Sequence, residues 1–197
     1  NAKSPRLKIY FLRLQDNPVF EEEIALRIRR LSEVHGINSG HLEGLDKSNC
    51  YLIGTDYYPS RKRNLKIYLR TLDVNFPEIL KQIEKEGVDS RYFSQFRRVI
   101  EGNARDVTFS YKYSNESRDL SGFSIFFEVE PMLNEKVNAL IKTCFPERFE
   151  EFRNLVGSLE TRNGTVHYSH VGITFLQGSN LETICLYYSP PLEMLRK

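Results

Sequence analysis

Leu65-Lys66-Ile67-Tyr68-Leu69-Arg70 decides the reading of this chain, because its pattern recurs. Leu7-Lys8-Ile9-Tyr10 repeats the first four residues unchanged, 58 positions earlier. Phe123-Ser124-Ile125-Phe126-Phe127-Glu128 stands 58 positions later, with the isoleucine kept and phenylalanine in place of tyrosine. Thr183-Ile184-Cys185-Leu186-Tyr187 completes the series, 59 residues further on counted between isoleucines. Four copies of one short strand at a nearly constant period mark a repeat architecture, a signal that outranks any local motif.

Between the copies the pattern alternates between helix and hairpin. Phe20 to Val34 carries Ile24, Leu26, Ile28 and Leu31 among charges, acidic first and basic later as a helix dipole favours, and His35-Gly36 supplies a stop. Residues 37–49 read as a loop or short helix. Cys50 to Tyr57 then reads as a strand, turned at Tyr58-Pro59-Ser60-Arg61-Lys62-Arg63-Asn64 into the 65–72 strand. Pro77–Gly87 and Arg91–Ile100 are expected helices. Val107–Tyr113 alternates without a break, and Phe123–Glu130 is its return strand, expected to end at Pro131. A helical stretch over 134–159, interrupted near Pro146, leads to a last hairpin of Val166–Phe175 and Leu181–Tyr188, with Gly178-Ser179-Asn180 between and Pro190-Pro191 after.

The order β, α, ββ, αα, ββ, αα, ββ buries one face of an antiparallel sheet under helices. Two architectures satisfy it: an open antiparallel sheet covered on one side, or a closed antiparallel barrel wearing its helices outside. No linker divides the 197 residues, so 3–197 is read as one α+β domain. Asn1-Ala2 reads as a cloning remnant, and the absence of an initiator methionine suggests a piece of a longer protein.

Composition narrows the function. With 40% apolar and 27% charged residues and a net charge of +2, the chain resembles neither a nucleic-acid binder nor a membrane protein. Cys50, Cys144 and Cys185 form no disulfide framework and no metal pair, which suits buried thiols in the cytoplasm. His35, His41, His167 and His170 are expected in structural or solvent-facing roles, since His167 and His170 fall on opposite strand faces. Arg61-Lys62-Arg63 reads as a solvated hairpin tip, and Gly54 and Gly172 as bulges or strand bends. No phosphate loop, zinc-protease or serine-hydrolase signature occurs.

Side chains two apart on a strand share a face. Ile9 and Phe11, Ile67 and Leu69, Ile125 with Phe127 and Val129, and Ile184 with Leu186 form the set expected to pack on helices. The opposite set is Lys8 and Tyr10; Lys66, Tyr68 and Arg70; Ser124, Phe126 and Glu128; Thr183, Cys185 and Tyr187. A solvent-exposed face accounts for any one of these residues. Aromatic rings at equivalent positions beside cations also suit a barrel lumen, where Lys and Arg neutralise a phosphate ester and ring faces shelter a carbocation.

From Leu52-Ile53-Gly54 through Asn64–Arg70, over Phe123–Glu130 and the helix ending Thr143-Cys144-Phe145-Pro146, and from His170-Val171-Gly172 into Thr183–Tyr188, the chain resembles the cyanobactin-type peptide prenyltransferases. These are a branch of the ABBA prenyltransferases, and the likeness spans roughly residues 6–189. It implies the closed antiparallel barrel, built of α-β-β-α units, and transfer of a prenyl group, typically dimethylallyl, from an allylic diphosphate to a side chain or terminus of a ribosomal peptide, usually with magnesium. It places Lys8, Lys66 and Arg70 on the diphosphate, and Tyr10, Tyr68, Phe126 and Tyr187 around the allyl cation. Glu128 would take the nucleophile's proton. The sequence also departs from that pattern: seven strands are expected rather than ten, the family's first-hairpin glutamate has no counterpart, and Cys185 stands where a basic residue is usual. These departures fit an alternative, a non-catalytic barrel domain that binds peptide or prenyl groups within a larger biosynthetic enzyme. A third reading is an open sheet acting as an interaction or RNA-binding module.

Overall fold

The computed structural model describes residues 7–12, 20–88, 90–132, 134–163, 167–176 and 181–189. The expected turn at 178–180 and the Pro190-Pro191 stop lie outside them. Seven strands form one sheet in chain order: β1 (Leu7–Leu12), β2 (Cys50–Tyr57), β3 (Arg63–Thr71), β4 (Ala104–Ser114), β5 (Asp119–Met132), β6 (His167–Leu176) and β7 (Leu181–Ser189). Every neighbouring pair is antiparallel. The four repeat copies are the odd strands β1, β3, β5 and β7, so the repeat is a property of every second strand.

Among the described residues six α-helices join them: α1 (Phe20–His35), α2 (Ser39–Glu43), α3 (Phe76–Lys85), α4 (Ser90–Ile100), α5 (Asn134–Cys144) and α6 (Phe149–Asn163). Local sequence explains their ends. The Asn75 side chain accepts a hydrogen bond from the Glu78 N–H and caps α3. Helices α1 and α3 finish identically, at Gly36 and Gly87 with φ of +64° and +69°. In each, the next residue's N–H returns to a carbonyl five positions back, Ile37 to Ser32 and Val88 to Ile83.

The helices cover the outer face of the curled sheet. Leu65, Ile67, Val107, Ile125, Phe127, Val171 and Phe175 are fully buried there against Ile28, Ile83, Phe93, Phe96, Ile100 and Val137. Phe127 is the centre of a ring cluster, 5.7 Å from Phe96, 6.0 Å from Phe76 and 6.4 Å from Phe93 between centroids. Each such side chain contributes roughly 1.5–3 kcal/mol by leaving water.

Three expectations fail. Ile9 and Phe11 were assigned to the helix-packed face, yet they are 38% and 39% exposed. Helix α1 packs against β3, and from it the Arg27 guanidinium lies 5.8 Å above the Phe11 ring. Strand β5 does not stop at Pro131 but runs to Met132, because the register shifts between Glu128 and Met132. Such an irregularity relieves proline of a ladder hydrogen bond. Gly54 and Gly172 sit in unbroken register rather than at bulges, and the inner face explains them below.

Candidate functional site on the inner face

Cross-strand register turns the polar residues of the inner face into rows. One runs Tyr10, Gly54, Lys66, Lys112, Gly122. The next brings Leu52, Tyr68, Ser110, Ser124 and Thr174 together, and the Ser124 and Thr174 hydroxyls bond at 2.8 Å. A third sets Arg70, Thr108, Phe126, Gly172 and Cys185 side by side, and a fourth Asp106, Glu128, His170 and Tyr187.

The two glycines make room for rings. A Cβ on Gly54 would lie 2.8 Å from the Tyr10 ring. On Gly172 it would overlap the Phe126 ring and press on the Ile125 carbonyl oxygen at 3.0 Å. Each ring therefore lies flat over a neighbouring strand's backbone.

Tyr51, Tyr68, Arg70, Asp106, Thr108, Phe126, His170 and Tyr187 enclose a cavity of about 380 Å³. Tyr51 meets Tyr68 edge-on at 6.3 Å, and Tyr187 meets both Phe126 and His170 edge-on at 6.0 Å. Burial raises the Tyr68 hydroxyl's pKa well above the ordinary phenol value, and the phenols of Tyr10 and Tyr187 add to the shift. Tyr10 and Tyr187 belong to opposite edge strands, so their joint influence on one residue reports the curl of the sheet. Burial likewise raises Tyr51 and Tyr187, so these phenols stay neutral through the physiological range.

The cations divide into two settings. Lys66 Nζ lies 3.0 Å from Asp56 Oδ2, a side chain only 2% exposed. The contact is an ion pair by distance without hydrogen-bond alignment. The ammonium of Lys112, cross-strand from Lys66, makes no hydrogen bond or ion pair with a described residue, and Lys8 faces Asp56 from the exposed edge strand. Arg70 is engaged twice: its Nε and Nη2 donate to Asp106 Oδ2, and Nη2 also donates to Glu128 Oε2 at 2.9 Å. The Asp106 bonds raise the pKa of Arg70 further.

The structure thus brings Tyr68, Phe126, Tyr187 and Arg70 to one cavity, with Glu128 on its rim, as the alternation predicts. It places Tyr10 and Lys66 one row toward the hairpin turns, and Lys8 at the margin. Sequence reading missed Tyr51, Asp106, Lys112 and His170. Lys112 was visible in the 107–113 alternation but needed the β3–β4 register to meet Lys66. Strict alternation puts Tyr51 on the outer face; the register shift between Cys50 and Leu52 turns it inward.

Among the described residues no three His, Cys, Asp or Glu side chains converge as a metal cage. Asp106 and Glu128 hold Arg70, and Asp56 faces Lys66. This donor set does not fit a magnesium ion resident on the protein.

No family model and no curated protein matches the sequence. Solved structures do match. The 5-dimethylallyl tryptophan synthase of Streptomyces coelicolor, in complex with DMASPP and Trp, superposes with a TM-score of 0.70 at 15% identity, over 94% of this chain and 55% of that one. The 6-dimethylallyltryptophan synthase of Micromonospora olivasterospora gives 0.68 at 15%, over 96% and 61%. PriB, in a binary complex with product diphosphate, gives 0.66 at 11%, over 95% and 58%. At such identities the likeness is one of fold. The chain has the architecture of the ABBA prenyltransferase barrel, a curled antiparallel sheet with helices outside, and forms a seven-stranded part of it. It spans little more than half the length of these proteins.

Proposed function

We propose that this chain carries out prenyl transfer, moving a dimethylallyl group from its diphosphate to a side chain or terminus of a peptide. The carrying observation is a lysine row two residues along β3 from a tyrosine-walled cavity, on the inner face of a prenyltransferase fold. Lys66 and Lys112, with Lys8 at the margin, hold the diphosphate. The allylic C–O bond breaks with its electron pair leaving on the diphosphate, and Tyr68, Phe126, Tyr187 and Tyr51 shelter the cation. The acceptor's lone pair closes on the allylic carbon, and its proton passes to Glu128, whose Oε1 bonds to no described residue. Magnesium, in this reading, arrives on the diphosphate's own oxygens.

One observation favours the alternative of a barrel domain that binds without catalysis: Glu128, the proposed base, is already paired with Arg70. Titration with dimethylallyl diphosphate, with and without magnesium, followed by mass spectrometry of candidate peptides, separates the two. Saturable binding lost in Lys66→Ala, with peptides gaining one C5H8 unit, supports transfer. Binding without turnover favours the accessory domain. Absence of binding at millimolar ligand overturns transfer and leaves a domain that binds peptide alone.

A further inference from the structure

The inner face changes sign along β3. Around Lys66, the ammonium groups of Lys8, Lys66 and Lys112 outnumber the single carboxylate of Asp56. Four residues on, roughly 13 Å at strand rise, one guanidinium meets two carboxylates, which leaves a net negative charge beside the cavity. That charge is set among π faces: Tyr51, Tyr68, Phe126 and Tyr187 form the walls.

Arg70 is not open to a ligand anion. An anion would have to displace Asp106, whose side chain is 7% exposed and would be left buried without its counter-charge. Glu128 differs: it is 34% exposed, gives Oε2 to Arg70, has Oε1 without a partner among the described residues, and stands cross-strand from His170. A carboxylate oxygen beside neutral tyrosine rings attracts a nitrogen cation, by Coulomb force and by the ring quadrupoles.

We propose that this end of the cavity is a recognition site for a cationic nitrogen, an ammonium or a guanidinium, carried by the acceptor; only the word acceptor rests on the prenyl-transfer reading. The group is bound, not alkylated, by these contacts. Its positive charge sits over the Tyr187 and Phe126 faces and donates to one lone pair of Glu128 Oε1, leaving the other for the nucleophile's proton, while the lysine row remains for the anion of the other substrate.

The test is equilibrium binding to the full chain, without any diphosphate, of probes that differ in charge. Tyramine should bind about tenfold or more tightly than 4-ethylphenol. The anion 4-hydroxyphenylpropionate should bind weakest, and 4-(2-guanidinoethyl)phenol against tyramine separates guanidinium from ammonium on one phenol frame. Glu128→Gln should cut the preference for tyramine over 4-ethylphenol to below about threefold. Tyr187→Leu, which removes a half-exposed wall without changing charge, should weaken tyramine selectively. Tightest binding by the anion, absent or equal binding of tyramine, or a preference untouched by Glu128→Gln, overturns the proposal. If dimethylallyl diphosphate fails to bind while the tyramine preference holds, prenyl transfer falls and the cation site stands. The reverse result fells the cation site alone.

Discussion

Lys66 and Arg70 occupy the same face of β3, four residues apart, in opposite surroundings. Lys66 pairs with one buried carboxylate and has two further lysines beside it, whereas Arg70 is held by both Asp106 and Glu128. The strand repeat treats them as equivalent cations. Much of their difference comes from strands outside the repeat, since β2 supplies Asp56 and β4 supplies both Lys112 and Asp106, while Glu128 comes from the repeat strand β5. A cation's role in a barrel lumen is thus set by what crosses the sheet toward it more than by its own side chain.

The two rows also rest on different glycines, and valine there should separate them most sharply. Gly172→Val meets both the Phe126 ring and the Ile125 carbonyl and should cost about 2–3 kcal/mol in urea unfolding, with loss of the cavity. Gly54→Val meets only the ring of the exposed edge residue Tyr10, which can swing away, so roughly 1 kcal/mol or less is expected. Equal costs at the two positions would show that the arginine row is no more rigidly packed than the lysine row.

Pyrophosphate binding should fall by about tenfold or more in Lys66→Ala and in Lys112→Ala, since each removes a charge-assisted contact. Arg70→Ala should lower it by less than about threefold, because that guanidinium is already neutralised. Isothermal titration decides, and a larger effect at Arg70 would reverse the assignment of the rows.

A separate acid sensitivity lies at the end of α1. His35 is buried at the end of α1 with no hydrogen-bond partner for either ring nitrogen, and desolvation, aided by Arg63, lowers its pKa. The unfolded chain therefore takes up a proton below about pH 6.5 that the folded chain resists. Stability should decline as pH falls from 6.5 toward the lowered folded pKa, and His35→Phe should remove that slope. Chemical denaturation at stepped pH tests this; an unchanged slope would move the sensitivity to the inner-face carboxylates. The smallest effect belongs to Tyr68→Phe. The raised phenol stays neutral, so loss of its hydroxyl, bonded to Ser110, should change dimethylallyl diphosphate affinity by less than about threefold.

Much of this was legible in one dimension. Alternation in β3 and β5 assigned Lys66, Tyr68, Arg70, Phe126 and Glu128 to one face, because side-chain direction along a strand is fixed by covalent geometry. It misled where an extra residue reset the phase, at Tyr51, and where the edge strand stays exposed, at Ile9 and Phe11.

By itself the sequence determined the repeat, the element order, the helix stops and which faces of the inner strands are apolar, all consequences of local periodicity and backbone preference. Only the tertiary structure decided that Lys112 stands beside Lys66, that Asp106 and Glu128 close on Arg70, and that Gly54 and Gly172 are cradles for rings. Those facts depend on register between strands far apart in the chain. Pairwise charge and contact energies act across that distance, and no single strand encodes its neighbour's phase.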